Sequence, residues 1–580
     1  MPATDCSSHE LAGTSVTTAG RPRSTWLRDL LLVAVVAGVW FCGLQGLRPL
    51  ANPDEGRYTE IPREMAATGD FVTPRLNGVK YFEKPPLLYW LSALTFRQFG
   101  VNEFTARLWN GLFSVLGVLM TYGTGRLLYG RGTGIWAAVV LSTNLMYYAM
   151  SQIVLLDMAV AVTMSGALFA FILGMREPPG RQRLAWFLVF YVFMALATLS
   201  KGLIGIALPG AVIFLWVLLL NRWRVLWPFY PIIGTALLLV IAAPWHVMAA
   251  RANPDDFLWF YFVHEHWVRF TTQDHNRYQS WWFFLPIFVA GLFPWVFFAG
   301  RAVAESLCGG WKTRRQHAEA WFFLIWILFI VAFFSKSQSQ LPPYILPVFP
   351  AAAILIGRSL ARVWQEGAEN AIRRGGWAFI GTALVFAVAA VVATAPKDQS
   401  ELCTWLPVLR TTLAGTMLAG AAMAFLGLRR RQPRIIIGAV AFTGVVFLLT
   451  ANIGGHAYDK YSTKKIAMIL KPMLKADDRV FSVGYDTQDL PAYLGRTVSV
   501  FGDHGELDFG IKAEPDLTSK RFFDRKDLPG QWTQPGAAYA VLRLSTYKGL
   551  WFSKLDLPHE VLAKTDSLVL ITNRPVLSQP

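Results

Sequence analysis

Acids and bases gather in five separated stretches of this chain. The first long stretch, 48–106, contains Asn52-Pro53-Asp54-Glu55-Gly56-Arg57-Tyr58 and then Tyr81-Phe82-Glu83-Lys84-Pro85-Pro86-Leu87-Leu88-Tyr89-Trp90. The second, 250–280, holds Asp255, Asp256, His264, Glu265, His266, Arg269 and Asp274 among many aromatics. Three shorter pieces are Leu155-Leu156-Asp157-Met158-Ala159, Ser200-Lys201-Gly202, and the run from Ser335-Lys336-Ser337 to Leu341-Pro342-Pro343-Tyr344. Carboxylates suit an amino sugar, a metal ion or an activated hydroxyl. Lys and Arg suit phosphate. Aromatic rings suit sugar faces and lipid tails at a membrane surface. Asp54 and Asp157 are therefore the candidate catalytic carboxylates. Arg57, Tyr58, Tyr81, Lys84, Lys201, Lys336 and Tyr344 are the candidates for holding a lipid phosphate.

Each has a plainer reading. Asp54 has the residue type of a helix N-cap. Arg57, Lys84 and Lys336 could simply meet lipid headgroups. Asp157 is harder to dismiss, because an ionisable group in an apolar helix is costly and usually kept for function. His264 and His266 are two apart and would face different sides of a helix, which disfavours a metal shared by that pair. Glu83 with His264 remains a possible ligand pair for Zn or Mn.

Apolar helices must position these stretches. The 580 residues are 54% hydrophobic and 16% charged, with mean hydropathy +0.38. Soluble chains carry roughly a quarter charged residues. A bilayer-spanning helix needs about 20 apolar residues. Thirteen candidates are read: 26–47, 107–128, 133–150, 154–174, 185–200, 202–220, 227–249, 281–300, 319–335, 341–362, 376–395, 407–427 and 434–454. Residues 86–99 are apolar but too short to cross, and are expected to form a re-entrant or interfacial helix.

Arginine-rich loops, such as those with Arg126 and Arg131 or Arg358 and Arg362, alternate with loops holding one lysine each: Lys201, Lys336 and Lys397. By the positive-inside tendency the N-terminus is cytoplasmic, and an odd number of spans puts 455–580 outside. The acids and bases above then converge on that outer face. The same tendency accounts for the net charge of +17 without a nucleic-acid partner.

Three regions follow: a disordered cytoplasmic tail at 1–25, a transmembrane domain at 26–454 with outer loops 48–106 and 250–280, and an outer domain at 455–580. The last is not membrane-like. Strand-like runs at 480–485, 497–501, 538–544 and 568–572, with a helix at 463–474, predict a small α/β domain.

The combination of Pro53-Asp54-Glu55-Gly56-Arg57-Tyr58, Glu83-Lys84-Pro85-Pro86-Leu87, Leu156-Asp157 and Ser335-Lys336-Ser337 with Leu341-Pro342-Pro343-Tyr344 resembles the lipid A aminoarabinose transferases, bacterial relatives of the protein O-mannosyltransferases. The resemblance covers roughly 26–455. It implies a GT-C membrane fold of about 13 spans with an outer C-terminal domain in the bacterial inner membrane. It also implies transfer of 4-amino-4-deoxy-L-arabinose from undecaprenyl phosphate to a lipid A phosphate, with resistance to polymyxin-type peptides. By position the family's first-loop acid falls on Asp54, and its phosphate-binding bases on Arg57, Lys84 and Lys201. Gln338 stands where a second basic residue is often seen, so a second charge there is in question. The expected partners are the lipid-linked aminosugar, lipid A and membrane lipids, and the expected state is a monomer. Two other readings stay open: a transferase acting on a protein hydroxyl or another glycolipid, and a transporter or flippase.

Overall fold

The computed structural model describes residues 23–268, 278–394, 400–456, 462–484, 487–502, 504–549 and 557–574. Arg269, Asp274, Lys397 and the tail up to residue 22 lie outside the described residues, as does the side chain of His266.

Among the described residues, ten helices are long and apolar enough to cross a membrane. They include α1 (Arg23–Cys42), α4 (Glu103–Tyr129), α7 (Leu156–Gly174) and α8 (Arg181–Lys201). Three of the thirteen expected spans are built differently. The segment 133–150 is two helices, α5 (Arg131–Thr143) and α6 (Leu145–Ser151), broken at Asn144. Asn144 turns back on its own helix, donating to the carbonyls of Val140 and Leu141, while its Oδ1 accepts the Tyr147 N–H and caps the next one. The segment 281–300 is the pair Phe284–Gly291 and Val296–Ser306, bent by 104° across a break that contains Pro294. The segment 202–220 is α9 (Ile204–Leu220), whose 17 residues fall just short of a full span.

All 19 residues of α7 are buried, so it is the central helix of the bundle. α8 packs along it. The first long loop, 48–106, is itself structured: α2 (Asp54–Thr68), a two-strand ribbon of β1 (Arg75–Leu76) and β2 (Val79–Lys80), and α3 (Leu87–Phe99). α2 carries Asp54 and Glu55 in its first turn, where acids favour the helix dipole. It stops at Gly69, whose φ of 77° suits glycine and whose N–H closes on the Met65 carbonyl. α3 occupies the stretch expected to be too short to cross, and has 13 residues.

The C-terminal region folds around a six-stranded sheet of order β5-β4-β3-β6-β8-β7. β3 (Arg479–Val483), β4 (Ser499–Phe501), β5 (Phe522–Phe523) and β6 (Ala538–Arg543) are parallel, and β7 (Glu560–Lys564) and β8 (Leu568–Thr572) are antiparallel. The sequence-expected strands are present, and β5 and β7 add to them. One face of this domain shares an apolar core with the loop 48–106: Tyr58, Ile61, Leu76 and Tyr89 pack in one cluster with Ile466, Leu490 and Val500.

Candidate active site at the seam between the outer loop and the C-terminal domain

Arg57 lies on α2 and is only 3% exposed. It holds the Asp54 carboxylate at 3.0 Å and donates to the Tyr81 hydroxyl at 3.1 Å. It also pairs with Glu506, a residue of the C-terminal domain. Burial alone would make Arg57 easier to deprotonate, but the groups around it, Tyr81, Tyr58, Glu83 and Asp54, more than offset this and raise its pKa. The guanidinium is therefore a fixed cation. Its Nε is buried and has no hydrogen-bond partner among the described residues, so one donor remains for a ligand.

The N-cap of α2 is Pro53, and no side chain caps the helix. Asp54 therefore occupies the first helical position rather than the cap, and its carboxylate faces Arg57 while staying 54% exposed. This is the arrangement of a group that can reach a substrate.

A second group surrounds Lys84. Its ammonium lies 3.0 Å from Glu265 and 3.8 Å from Glu83, and His264 Nδ1 approaches Glu265 at 3.3 Å. The two long loops expected to meet do meet here. A cation already stands between the two carboxylates, and it is the ammonium of Lys84. Among the described residues no three His, Cys, Asp or Glu side chains are grouped as a metal site would need. Glu83 and His264 therefore do not fit a metal as they stand, because an ion would have to displace Lys84.

The third group joins three helical elements. Asp157, in the first turn of α7, pairs with Lys201, the last residue of α8. The Lys201 ammonium also lies 4.4 Å from the centroid of the Tyr344 ring, a cation–π distance. Tyr58 connects all three groups. Arg57 sits over its ring at 5.4 Å, and the charges of Asp54, Glu83 and Asp157 all act on its hydroxyl. That hydroxyl is held protonated chiefly by burial, which raises its pKa. Lys336 stands apart: it is exposed at the C-cap of helix Ala318–Ser335, and among the described residues no ion pair ties it to the others.

Two site features were not foreseen from the sequence. Glu506 comes from a domain in which no functional motif was recognised. Gly56 is the other: a Cβ there would lie 2.4 Å from the Asp489 backbone nitrogen, so only glycine lets the C-terminal domain approach α2 this closely. The same seam is stitched by Arg75 to Glu514 at 2.8 and 2.9 Å, and by Asn77, which exchanges two 2.9 Å bonds with the Val498 backbone.

The apolar helical bundle carries this ionic site where the loop 48–106 meets the C-terminal domain. Residues 27–306 match the family profile of dolichyl-phosphate-mannose-protein mannosyltransferases, and residues 466–573 match that of the aminoarabinose transferase C-terminal domain. Among curated relatives, the undecaprenyl phosphate-alpha-4-amino-4-deoxy-L-arabinose arabinosyl transferase of Aeromonas salmonicida is 32% identical over 83% of this chain and 87% of its own. The second such enzyme of Sodalis glossinidius is 30% identical over 86% and 89%. The solved structure of ArnT from Cupriavidus metallidurans bound to undecaprenyl phosphate superposes with a TM-score of 0.82, at 30% identity, over 96% of this chain and 100% of that one. This chain belongs to the undecaprenyl phosphate-aminoarabinose arabinosyl transferase family, with the GT-C fold that its motifs implied.

Proposed function

We propose that the protein transfers 4-amino-4-deoxy-L-arabinose from undecaprenyl phosphate to a phosphate of lipid A, at the periplasmic face of a bacterial inner membrane. The observation that carries this reading is that three cations from three separate elements, Arg57, Lys84 and Lys201, each pair with an acid, Asp54, Glu83 and Asp157, whose charge acts on the Tyr58 hydroxyl. Such a set suits a phosphate whose lipid tail lies along the apolar bundle. The ArnT structure from Cupriavidus metallidurans, bound to undecaprenyl phosphate, supports the same donor.

In the reaction the bond between the sugar C1 and the donor phosphate oxygen breaks, and an acceptor phosphate oxygen forms the new bond to C1. Undecaprenyl phosphate leaves with the electron pair. Arg57, Lys84 and Lys201 hold the charge of that leaving phosphate. A phosphate monoester is already largely ionised at neutral pH, its second pKa being about 6, so the acceptor needs no general base. Asp54 and Asp157 then orient the sugar amine or stabilise positive charge that develops on the sugar ring. Tyr58, Tyr81 and Tyr344 line the sugar and tail path. The added ammonium masks lipid A charge and weakens attraction of cationic peptides such as polymyxin.

In-vitro transfer with synthetic undecaprenyl phosphate-aminoarabinose and lipid A, read by mass spectrometry, tests the reading, and loss of mass gain on lipid A refutes it. Transfer to a protein hydroxyl is the second reading, favoured by the mannosyltransferase profile over 27–306. The orientation rests on the Lys/Arg asymmetry. Labelling of Lys520→Cys from outside, and of Arg430→Cys only after the membrane is opened, is the outcome it requires. A divalent ion at Glu83 and His264 is a separate part of the reading, and it requires the ion to displace the Lys84 ammonium from between the carboxylates. Equal Zn and Mn content in the wild type and Glu83→Ala discards it.

A further inference from the structure

The end of the bundle away from the site holds a second basic feature. Glu103, at the start of α4, touches the C-terminal domain through Tyr493 and Lys464. Tyr129 ends the same 27-residue helix, about 40 Å away at the rise of an α-helix. There a cavity of about 190 Å³ is lined by Tyr129, Arg131, Gly132, Arg358, Arg362 and Gln365, among others.

Its polar groups are unequally used. Arg131 is held by Asp29 at 2.6 and 3.0 Å. Arg362 lies 3.6 Å from Glu305, which Arg301 also holds at 2.6 Å. Arg358 has no such partner: among the described residues its one direct contact as a cation is with the Tyr129 ring, at 4.5 Å from the centroid. Glu305 and Glu319 act on it only from beyond ion-pair distance. The Tyr129 hydroxyl is buried and, among the described residues, has no hydrogen-bond partner. α5 starts in the cavity wall, with Gly130 as its N-cap and no side-chain cap, so the positive end of its dipole lies at the cavity.

We propose that this cavity binds a phosphate group, carried by the headgroup of an anionic membrane lipid or by a soluble phosphate. All the unused groups are donors: a guanidinium, a buried hydroxyl and a helix N-terminus with its dipole. Of the acids nearby, Asp29 and Glu305 are held by other arginines, and Glu319 stays beyond ion-pair distance of Arg358. A planar guanidinium fits phosphate oxygens in pairs, and a buried hydroxyl without an acceptor is costly until a ligand supplies one. The site is distinct from the transferase cluster, which lies at the other end of α4.

The test uses the full-length protein in neutral detergent, titrated with short-chain phosphatidylglycerol and separately with inorganic phosphate, and read by native mass spectrometry and calorimetry. The expected result is one phosphatidylglycerol site, weakened roughly 10–100-fold in Arg358→Ala and about 5–10-fold in Tyr129→Phe. Tyr129→Phe removes a hydroxyl that the fold does not use, and both variants should keep wild-type transfer activity, which shows that they are folded. Inorganic phosphate binding with the same losses supports the site with a soluble ligand. Three outcomes overturn the proposal: neither probe binds, both variants bind as the wild type does, or diacylglycerol, which lacks a phosphate, binds equally.

Discussion

Asp54 and Glu55 are neighbours in sequence but belong to two different arginine clusters. Glu55 and Arg107 are each about 1% exposed at their side chains. Glu55 accepts from Arg107 at 2.7 and 2.8 Å, from Arg48 at 3.1 Å, and from the backbone N–H groups of Ala51 and Val154 at 3.0 Å each. Arg107 spends its remaining donors on the carbonyls of Gln45, Arg48 and Pro49. That cluster is saturated, and it ties α2 to α4 and to the chain leading into α7. The cluster around Arg57 is not: Asp54 is half exposed and Arg57 Nε has no partner. Two ion pairs on one helix thus do opposite work. A closed one fixes the scaffold, and an open one keeps bonding capacity for a ligand.

The contrast predicts different failures. Glu55→Gln leaves two buried guanidinium groups short of charge and should cost about 3–5 kcal/mol of stability. Asp54→Asn, at a half-exposed pair, should cost less than about 1 kcal/mol. Thermal unfolding in detergent reads both, and equal losses would break the comparison.

A third buried carboxylate sharpens it. Asp489 also joins the C-terminal domain to the loop, but its donors are neutral: Asn52, the Thr463 N–H at 2.7 Å and the Ser462 hydroxyl at 3.3 Å. Burial therefore wins and pushes Asp489 up to about 6, whereas Glu55, which is also fully buried, is lowered by Arg107 and Arg48. With a raised folded pKa, the protonated form stabilises the fold. Its contribution is full below the ordinary value of 3.8 and is lost as pH rises through about 6. The wild type should lose up to about 3 kcal/mol between pH 4 and 7 that Asp489→Asn does not lose. The difference between their melting curves across that range is the measurement, and parallel curves would remove Asp489 from the account.

The open clusters should fail in binding instead. Lys84→Ala should weaken donor binding roughly 10–100-fold, the worth of a charge-assisted contact to phosphate, while melting near the wild-type temperature. Calorimetry with undecaprenyl phosphate reads it, and wild-type affinity in a folded variant would exclude Lys84 from the site.

Hydropathy made most of the bundle legible, because lipid exposure demands long apolar runs whatever packs against them. It failed at Asn144 and Pro294, where one residue redirects a helix inside a run that stays apolar. The motif residues were also legible, and Asp54, Arg57, Tyr58, Tyr81, Glu83, Lys84, Asp157, Lys201, His264 and Tyr344 fall into the three groups around Tyr58. Lys336 had the same chemistry in sequence but is exposed at a helix end and, among the described residues, joins none of these ion pairs, which type and spacing cannot foretell. Glu506 could not have been read: it meets Tyr81 across 425 residues, and nothing local marks a lone glutamate in a polar turn. Gly56 had a visible signal, a glycine inside an acidic helix start, but its meaning needs the partner backbone.

The central claim is that Asp54 serves a transfer to a phosphate and not the deprotonation of a hydroxyl. In-vitro transfer by Asp54→Asn across pH 6 to 9, with the protein shown to be folded and donor-bound, tests it most directly. The account predicts loss of most of the rate with little recovery as pH rises, because a phosphate acceptor is ionised throughout that range. Near-normal transfer would contradict a catalytic Asp54. A low rate that recovers steeply at high pH would identify Asp54 as a general base, an effect of about 10²–10⁴-fold, and would favour a hydroxyl acceptor.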